Sequence, residues 1–283
     1  MPCFVRSRRA ARLVIGLTVA ALTSGCTTLG PDGRRWAEDT APTWDDEEGW
    51  SFDWGRLGRS ALDALLDLRT LLPALGAGVL AIDGMDERLS DWAIERTPVF
   101  GSHATAADTS DILQYALLGE VVVTALLTPS GEGLAENAAA KLEGLGVELG
   151  AVLAVAGTTQ AVKSSNRRER PNQEDRRSFP SGHTSAAFAA AALSSRNLET
   201  LDIPPWARHT LTGVNTALAA TVAWGRVEGE WHWPTDVMAG AALGNFLSLV
   251  VHDALIGRPE ESFLRWHVFP TRGGVVAGVG GSF

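Results

Sequence analysis

From Ser60 onward, apolar residues recur at helical spacing: Leu62, Leu65, Leu66 and Leu68, then Leu71 and Leu72 before Pro73. Positions three and four apart share one face of a helix, so this pattern turns a stripe of leucines toward a core. The same period predicts helices over about 84–96, 109–128, 133–164, 182–197, 205–224 and 234–256. Pro129-Ser130-Gly131 and Ile203-Pro204-Pro205 break the pattern, because proline lacks an N–H and glycine favours turns. The prediction is an all-α protein with one helical-bundle domain over 60–255. Residues 256–283, Gly-rich from His267 with Val275, Val276 and Val279, are predicted as a short irregular or β-like tail.

The uncharged apolar runs cover 70–82, 121–131, 149–162, 210–225 and 237–251. Each is shorter than the roughly 18–20 residues that cross a bilayer, and Glu120 interrupts the longest candidate. A bundle buried in its own core is the expectation. Spanning helices that carry polar residues are the alternative.

The N-terminus has a different pattern. Arg6, Arg8, Arg9 and Arg12 flank a short apolar stretch that ends in Leu22, and Thr23-Ser24-Gly25-Cys26 follows. A basic start, an apolar run and small residues before a cleavage point predict an export signal over 1–25. Leu-Thr-Ser-Gly-Cys looks like a bacterial lipobox, with Cys26 as the lipidated first residue of the mature chain; Thr23 departs from the usual Leu. The two cysteines are Cys3 and Cys26, so the mature protein holds no disulfide. Residues 26–59 are predicted as a polar tether, with Trp36, Trp44, Trp50 and Trp54 either at the bilayer interface or packed on the domain. The expected location is the bacterial cell envelope, on the periplasmic side, anchored to a membrane, with the outer membrane favoured.

Composition adds an exclusion. Removing 1–25 takes away four Arg and no acid, which moves the formal net charge from −9 to −13. An acidic surface argues against a nucleic-acid partner.

Three clusters between Lys163 and Asp236 carry candidate chemistry. They are Lys163 to Arg170-Pro171, then Ser178-Phe-Pro-Ser181-Gly182-His183, then Gly225-Arg226 with His232 and Asp236. Singly, each has a plain explanation: solvated charges at a helix end, a capping turn, a surface pair one turn apart. Together they describe a phosphate site. Lys163, Arg170 and Arg226 supply the cations that grip the equatorial oxygens of a tetrahedral anion. Ser181 and Gly182 open a helix whose free N–H groups point at the ligand. His232 and Asp236 stand four apart, so on a helix they share a face; Asp236 then holds one imidazole nitrogen and frees the other to attack. His183 is placed to protonate the leaving oxygen and later activate water. No acid cluster resembles a metal site, so no metal cofactor is expected. Trp231 and Trp233 either line a pocket or belong to the core.

These clusters resemble the signature of the type 2 phosphatidic-acid phosphatase superfamily, which also includes bacterial acid phosphatases and vanadium haloperoxidases. Its pattern is Lys-x6-Arg-Pro, Pro-Ser-Gly-His, and Ser-Arg-x5-His-x3-Asp. Every spacing matches, and Gly225 replaces the usual Ser. The resemblance implies a helical domain of the acid phosphatase and vanadium haloperoxidase type. It implies phosphate binding by Lys163, Arg170 and Arg226 with Ser181 and Gly182 nearby, His232 as nucleophile, Asp236 orienting it and His183 as acid. A metal-independent phosphatase that forms a phosphohistidine and acts on a lipid, an isoprenoid phosphate or a small phosphoester is the expected function. Two alternatives are a haloperoxidase whose pocket holds vanadate on His232, and a non-catalytic envelope lipoprotein. Which phosphate is cleaved and the oligomeric state are left open.

Overall fold

A computed structural model describes residue 30 and residues 35–37, 43–45, 49–131, 133–257, 265–271 and 274–280. The signal over 1–25 and the lipidation at Cys26 lie outside the described residues.

Eight helices are seen among the described residues: α1 Trp54–Leu66, α2 Leu68–Leu80, α3 Met85–Arg96, α4 His103–Leu127, α5 Leu134–Asn166, α6 Gly182–Glu199, α7 Pro205–Glu228 and α8 Pro234–Leu255. Local sequence fixes their starts. Asp53, Asp67, Ser102 and Ser181 cap α1, α2, α4 and α6 by accepting from backbone N–H groups of the first turn. Pro205 and Pro234 sit at helix starts, where a missing N–H costs nothing. The domain is all-α, as its periodicity predicts. Two hairpins flank it: β1 Thr43–Asp45 with β2 Gly49–Ser51, and β3 Arg265–Thr271 with β4 Gly274–Gly280, both antiparallel. The second is the β-like tail. The first hairpin and the start of α1 at Trp54 both fall inside the stretch predicted as a polar tether.

The core is built around α6, which is buried almost end to end and packs against α4, α5, α7 and α8. Its alanines meet Leu117, Val121, Ala151, Ala219, Val222 and Ala241. Small residues let these helices approach closely, and α8 brings Gly240 and Gly244 against the backbone of Ser181 and Ser185. At the end away from Ser181, Arg196 grips Asp253 with two hydrogen bonds of 2.8 Å, both side chains buried.

The expectation that every apolar run is too short to cross a bilayer is corrected. α4, α5 and α8 are each long and apolar enough to cross a membrane, and the most apolar stretch of each is only 28%, 22% and 56% buried within the protein. Ile112, Tyr115, Leu142, Leu149 and Leu153 face outward. Counting uncharged runs fails here because the interrupting charges turn inward. Glu120 accepts from Asn215 at 2.6 Å, Glu148 is buried, and buried Lys141 donates to Ala125 O and to Thr128 at the end of α4. A helix can keep an apolar outer face while its sequence reads as broken by charge.

Trp36 is buried against Gly144, where a Cβ would lie 2.1 Å from the indole ring. The backbone N–H of Trp36 donates to Pro129 O at 2.7 Å, and Lys141 Nζ lies 5.7 Å from the ring centre. Trp36 is therefore a domain residue, the packed alternative for the tether tryptophans. Lys141 and Lys163 lie on the same helix about 33 Å apart at 1.5 Å per residue. Trp36 thus packs at the end of the bundle remote from Lys163.

Candidate active site

Five segments converge at the opposite end. α5 delivers Lys163 in its last turn, and its Nζ donates to Arg177 O at 2.6 Å. The loop after α5 carries Arg170, whose Nε donates to Asp175 at 2.7 Å. α6 begins at Gly182 and His183, and α7 ends with Arg226. The turn from α7 to α8 holds Trp231 and His232. A cavity of about 580 Å³ is lined by Lys163, Arg170, Gly182, His183, Arg226 and His232, with Trp231 on its wall. The guanidinium groups of Arg170 and Arg226 stack on Trp231 at 5.1 and 5.0 Å, which fixes the planes of both. Trp231 is thus a pocket residue.

Two expected members do not line the cavity. Ser181 is fully buried and spends its hydroxyl on Thr184, accepting from its N–H at 3.4 Å and its Oγ1 at 2.9 Å. Its own N–H goes to Asp236 O at 2.9 Å, so Ser181 shapes the helix start, while the backbone beside the cavity comes from Gly182 and His183. Asp236 lies behind His232, buried. His232 and Asp236 do not share a helix: α8 starts at Pro234, so His232 precedes the N-cap Trp233. The turn places His232 Nδ1 3.7 Å from Asp236 Oδ2, an ion-pair distance longer than a hydrogen bond. No other partner reaches Nδ1.

Asp236 is held by groups that sequence reasoning missed. Ser178 donates to Oδ2 at 2.5 Å, Trp233 N–H donates to the same oxygen at 2.9 Å, and Arg168 donates to Oδ1 at 2.8 Å. Arg168 also binds Asp86 of α3, which accepts from the N–H and hydroxyl of Thr235. These bonds keep Asp236 a fixed carboxylate behind the histidine. Asp111 of α4 was missed too: its Oδ1 lies 3.0 Å from His183 Nε2 and 3.0 Å from Arg226 Nη1. Arg168 lies inside the first motif and could have been flagged. Asp86 and Asp111 lie on helices far from the three clusters in sequence, with no local pattern to mark them.

Gly225, the departure from the signature, has a packing cause. A Cβ there would lie 2.8 Å from Ala106 O and 3.0 Å from Ser110 Cβ, so α7 and α4 touch backbone to backbone. Arg226 follows at once and donates to Ser110 Oγ at 3.2 Å.

Burial dominates the electrostatics. It holds His232 down to about 4, with Lys163 and Arg170 adding to the effect and Asp236 opposing it. Burial also holds His183 down to about 4, helped by Arg226, Lys163 and Arg170 and opposed by Asp111. Both imidazoles are therefore neutral near pH 7. Neutral His232 is a competent nucleophile. Neutral His183 has to gain a proton before it acts as an acid.

Residues 151–258 match the family model described as the PAP2 superfamily. This stretch belongs to the PAP2 superfamily. All three motif clusters fall inside the PAP2 segment, whereas Asp86 and Asp111 come from helices outside it. The chain is also 38% identical over 88 residues to a lipid A 1-phosphatase of Porphyromonas gingivalis, across 31% of this chain and 18% of that protein. It thus spans under a fifth of the length of that relative. Among solved structures, it is similar to a transmembrane PAP2-type phosphatidylglycerolphosphate phosphatase from Bacillus subtilis. The identity is 20%, the TM-score 0.45, and the coverage 68% of this chain and 94% of that one.

Proposed function

We propose that the protein hydrolyses a phosphate monoester, on a membrane lipid or isoprenoid, by attack of His232 on phosphorus. The observation that carries this reading is one cavity wall shared by Lys163, Arg170, Arg226, the start of α6 and two neutral histidines. The three cations neutralise charge on the equatorial oxygens, and the helix start adds N–H donors. His232 Nε2 forms a bond to phosphorus as the P–O bond to the leaving group breaks. The departing oxygen keeps the electron pair and takes a proton from His183. Water then attacks the phosphohistidine, giving its proton to His183 and releasing phosphate from His232.

A lipid substrate is supported by the outward apolar faces of α4, α5 and α8, which fit a bilayer and would bring the pocket to its surface. We further propose envelope anchoring at Cys26.

The test is phosphate release by the full chain in detergent micelles, with EDTA present. The panel is phosphatidic acid, phosphatidylglycerol phosphate, undecaprenyl pyrophosphate, a lipid A phosphate and a soluble phosphomonoester. Release from at least one is expected. No release, together with peroxide- and halide-dependent bromination after vanadate is added, would establish the haloperoxidase chemistry. Silence in both assays would leave a binding protein.

The histidines also predict the pH behaviour. Proton donation by His183 is lost as pH rises through its pKa. In the free enzyme that value is depressed to about 4, and a bound phosphate dianion raises it. The alkaline limb of kcat, which reports the complex, is therefore expected at least about one pH unit above that of kcat/KM. Coincident limbs would mean that phosphate does not bind beside His183.

A further inference from the structure

Asp111 already occupies part of the anion site. One carboxylate oxygen rests 3.0 Å from His183 Nε2 and 3.0 Å from Arg226 Nη1, the two groups that the reading above assigns to the leaving and equatorial oxygens of the substrate. A carboxylate oxygen and a phosphate oxygen make the same charge-assisted bonds to these donors, so they compete for one position. Elsewhere in the pocket, Arg170 is held by Asp175, and Lys163 is held by backbone carbonyls. Arg226 is also the cation with a buried donor still unmet, since its Nε has no partner. Asp111 is half-exposed and borne on a short side chain, so it can leave without moving α4.

We propose, resting on the phosphatase reading, that Asp111 is a specificity-determining residue: a built-in anion that a substrate must displace from Arg226. A terminal phosphate brings about −1.5 to −2 charges near neutral pH and can displace it. A phosphodiester brings a single negative charge, no more than the carboxylate itself, and gains nothing by the exchange. The pocket thereby selects terminal monoesters over the diester linkages of the same lipids. Removing the carboxylate tightens anion binding and narrows that selection.

The experiment is calorimetric binding of inorganic phosphate and of dimethyl phosphate to the full chain in micelles. Wild type, Asp111→Asn and Asp111→Ser are compared with Asp108→Asn. Asp108 is a second acid on the cavity wall, but it touches neither Arg226 nor His183. Phosphate is expected to bind about tenfold tighter to both Asp111 variants and to change less than about twofold in the Asp108 variant. Dimethyl phosphate is expected to gain more than phosphate does. If wild type binds phosphate and the Asp111 variants bind it equally or more weakly, Asp111 is a support for Arg226 and the proposal is overturned. An equal gain in the Asp108 variant overturns it too, because general charge would then explain the effect. Absence of phosphate binding in every variant would instead remove the phosphate-site reading on which the proposal stands.

Discussion

His232→Ala is expected to lower the rate of phosphate release by at least about 10⁴-fold while phosphate affinity changes little. A nucleophile that forms the covalent intermediate acts as a unit with its acid and its orienting group, so its loss removes nearly all the acceleration they provide. Phosphate affinity survives because Lys163, Arg170, Arg226 and the start of α6 are untouched, and each is held by partners other than His232. Burial of His232 complicates the comparison, since its removal leaves a small cavity. Thermal melting of the variant controls for that. A variant that keeps more than a hundredth of wild-type turnover would place the nucleophile elsewhere.

The second large effect comes from a residue with no side chain. Gly244 of α8 lies against α6 so closely that an added Cβ would sit 2.1 Å from Ser185 O and 2.9 Å from Ser185 Cα. Both obstacles are backbone, so a rotamer change cannot relieve the clash. Gly244→Ala must push the two helices apart by about an ångström, at a cost of about 1–3 kcal/mol of stability. Ser185 stands in the first turn of α6, and the same displacement carries Gly182 and His183 away from His232. A shift of that size in a reacting group costs about 100-fold in rate. The expected result is a lower melting temperature together with a loss in kcat of about two orders of magnitude. Gly157→Ala is the matched control: a Cβ there meets nothing within 4 Å, so the variant should be as stable as wild type or more so. Equal behaviour of the two variants would mean that the α6–α8 approach does not set the site.

Much of this arrangement is legible in the sequence, for a local reason. Helix periods, the proline and glycine breaks and the caps depend on residues three or four apart, so they survive without knowledge of the fold. The three clusters are equally local: each is a short run whose spacing sets one turn or helix start. The limits of local reading are visible in the same residues. Four-residue spacing puts His232 and Asp236 on one helix face, but Pro234 starts α8 between them and the pair meets through a turn. The motif sets Ser181 beside the phosphate, and only the structure shows its hydroxyl accepting from Thr184 as the cap of α6.

The sequence by itself determined an all-α domain, the cations and histidines of the candidate pocket and the order in which the chain supplies them. Only the tertiary structure decided which acids face those cations. Asp111 reaches Arg226 across 115 positions, and Arg168 reaches Asp86 across 82. It also decided that Glu120, Lys141 and Glu148 turn inward and leave apolar helix faces outside. The physical reason is that periodicity tells which residues share a face, whereas the partner of that face depends on how helices pack. That packing was set by small residues such as Gly225, Gly240 and Gly244, whose role is invisible until two backbones meet.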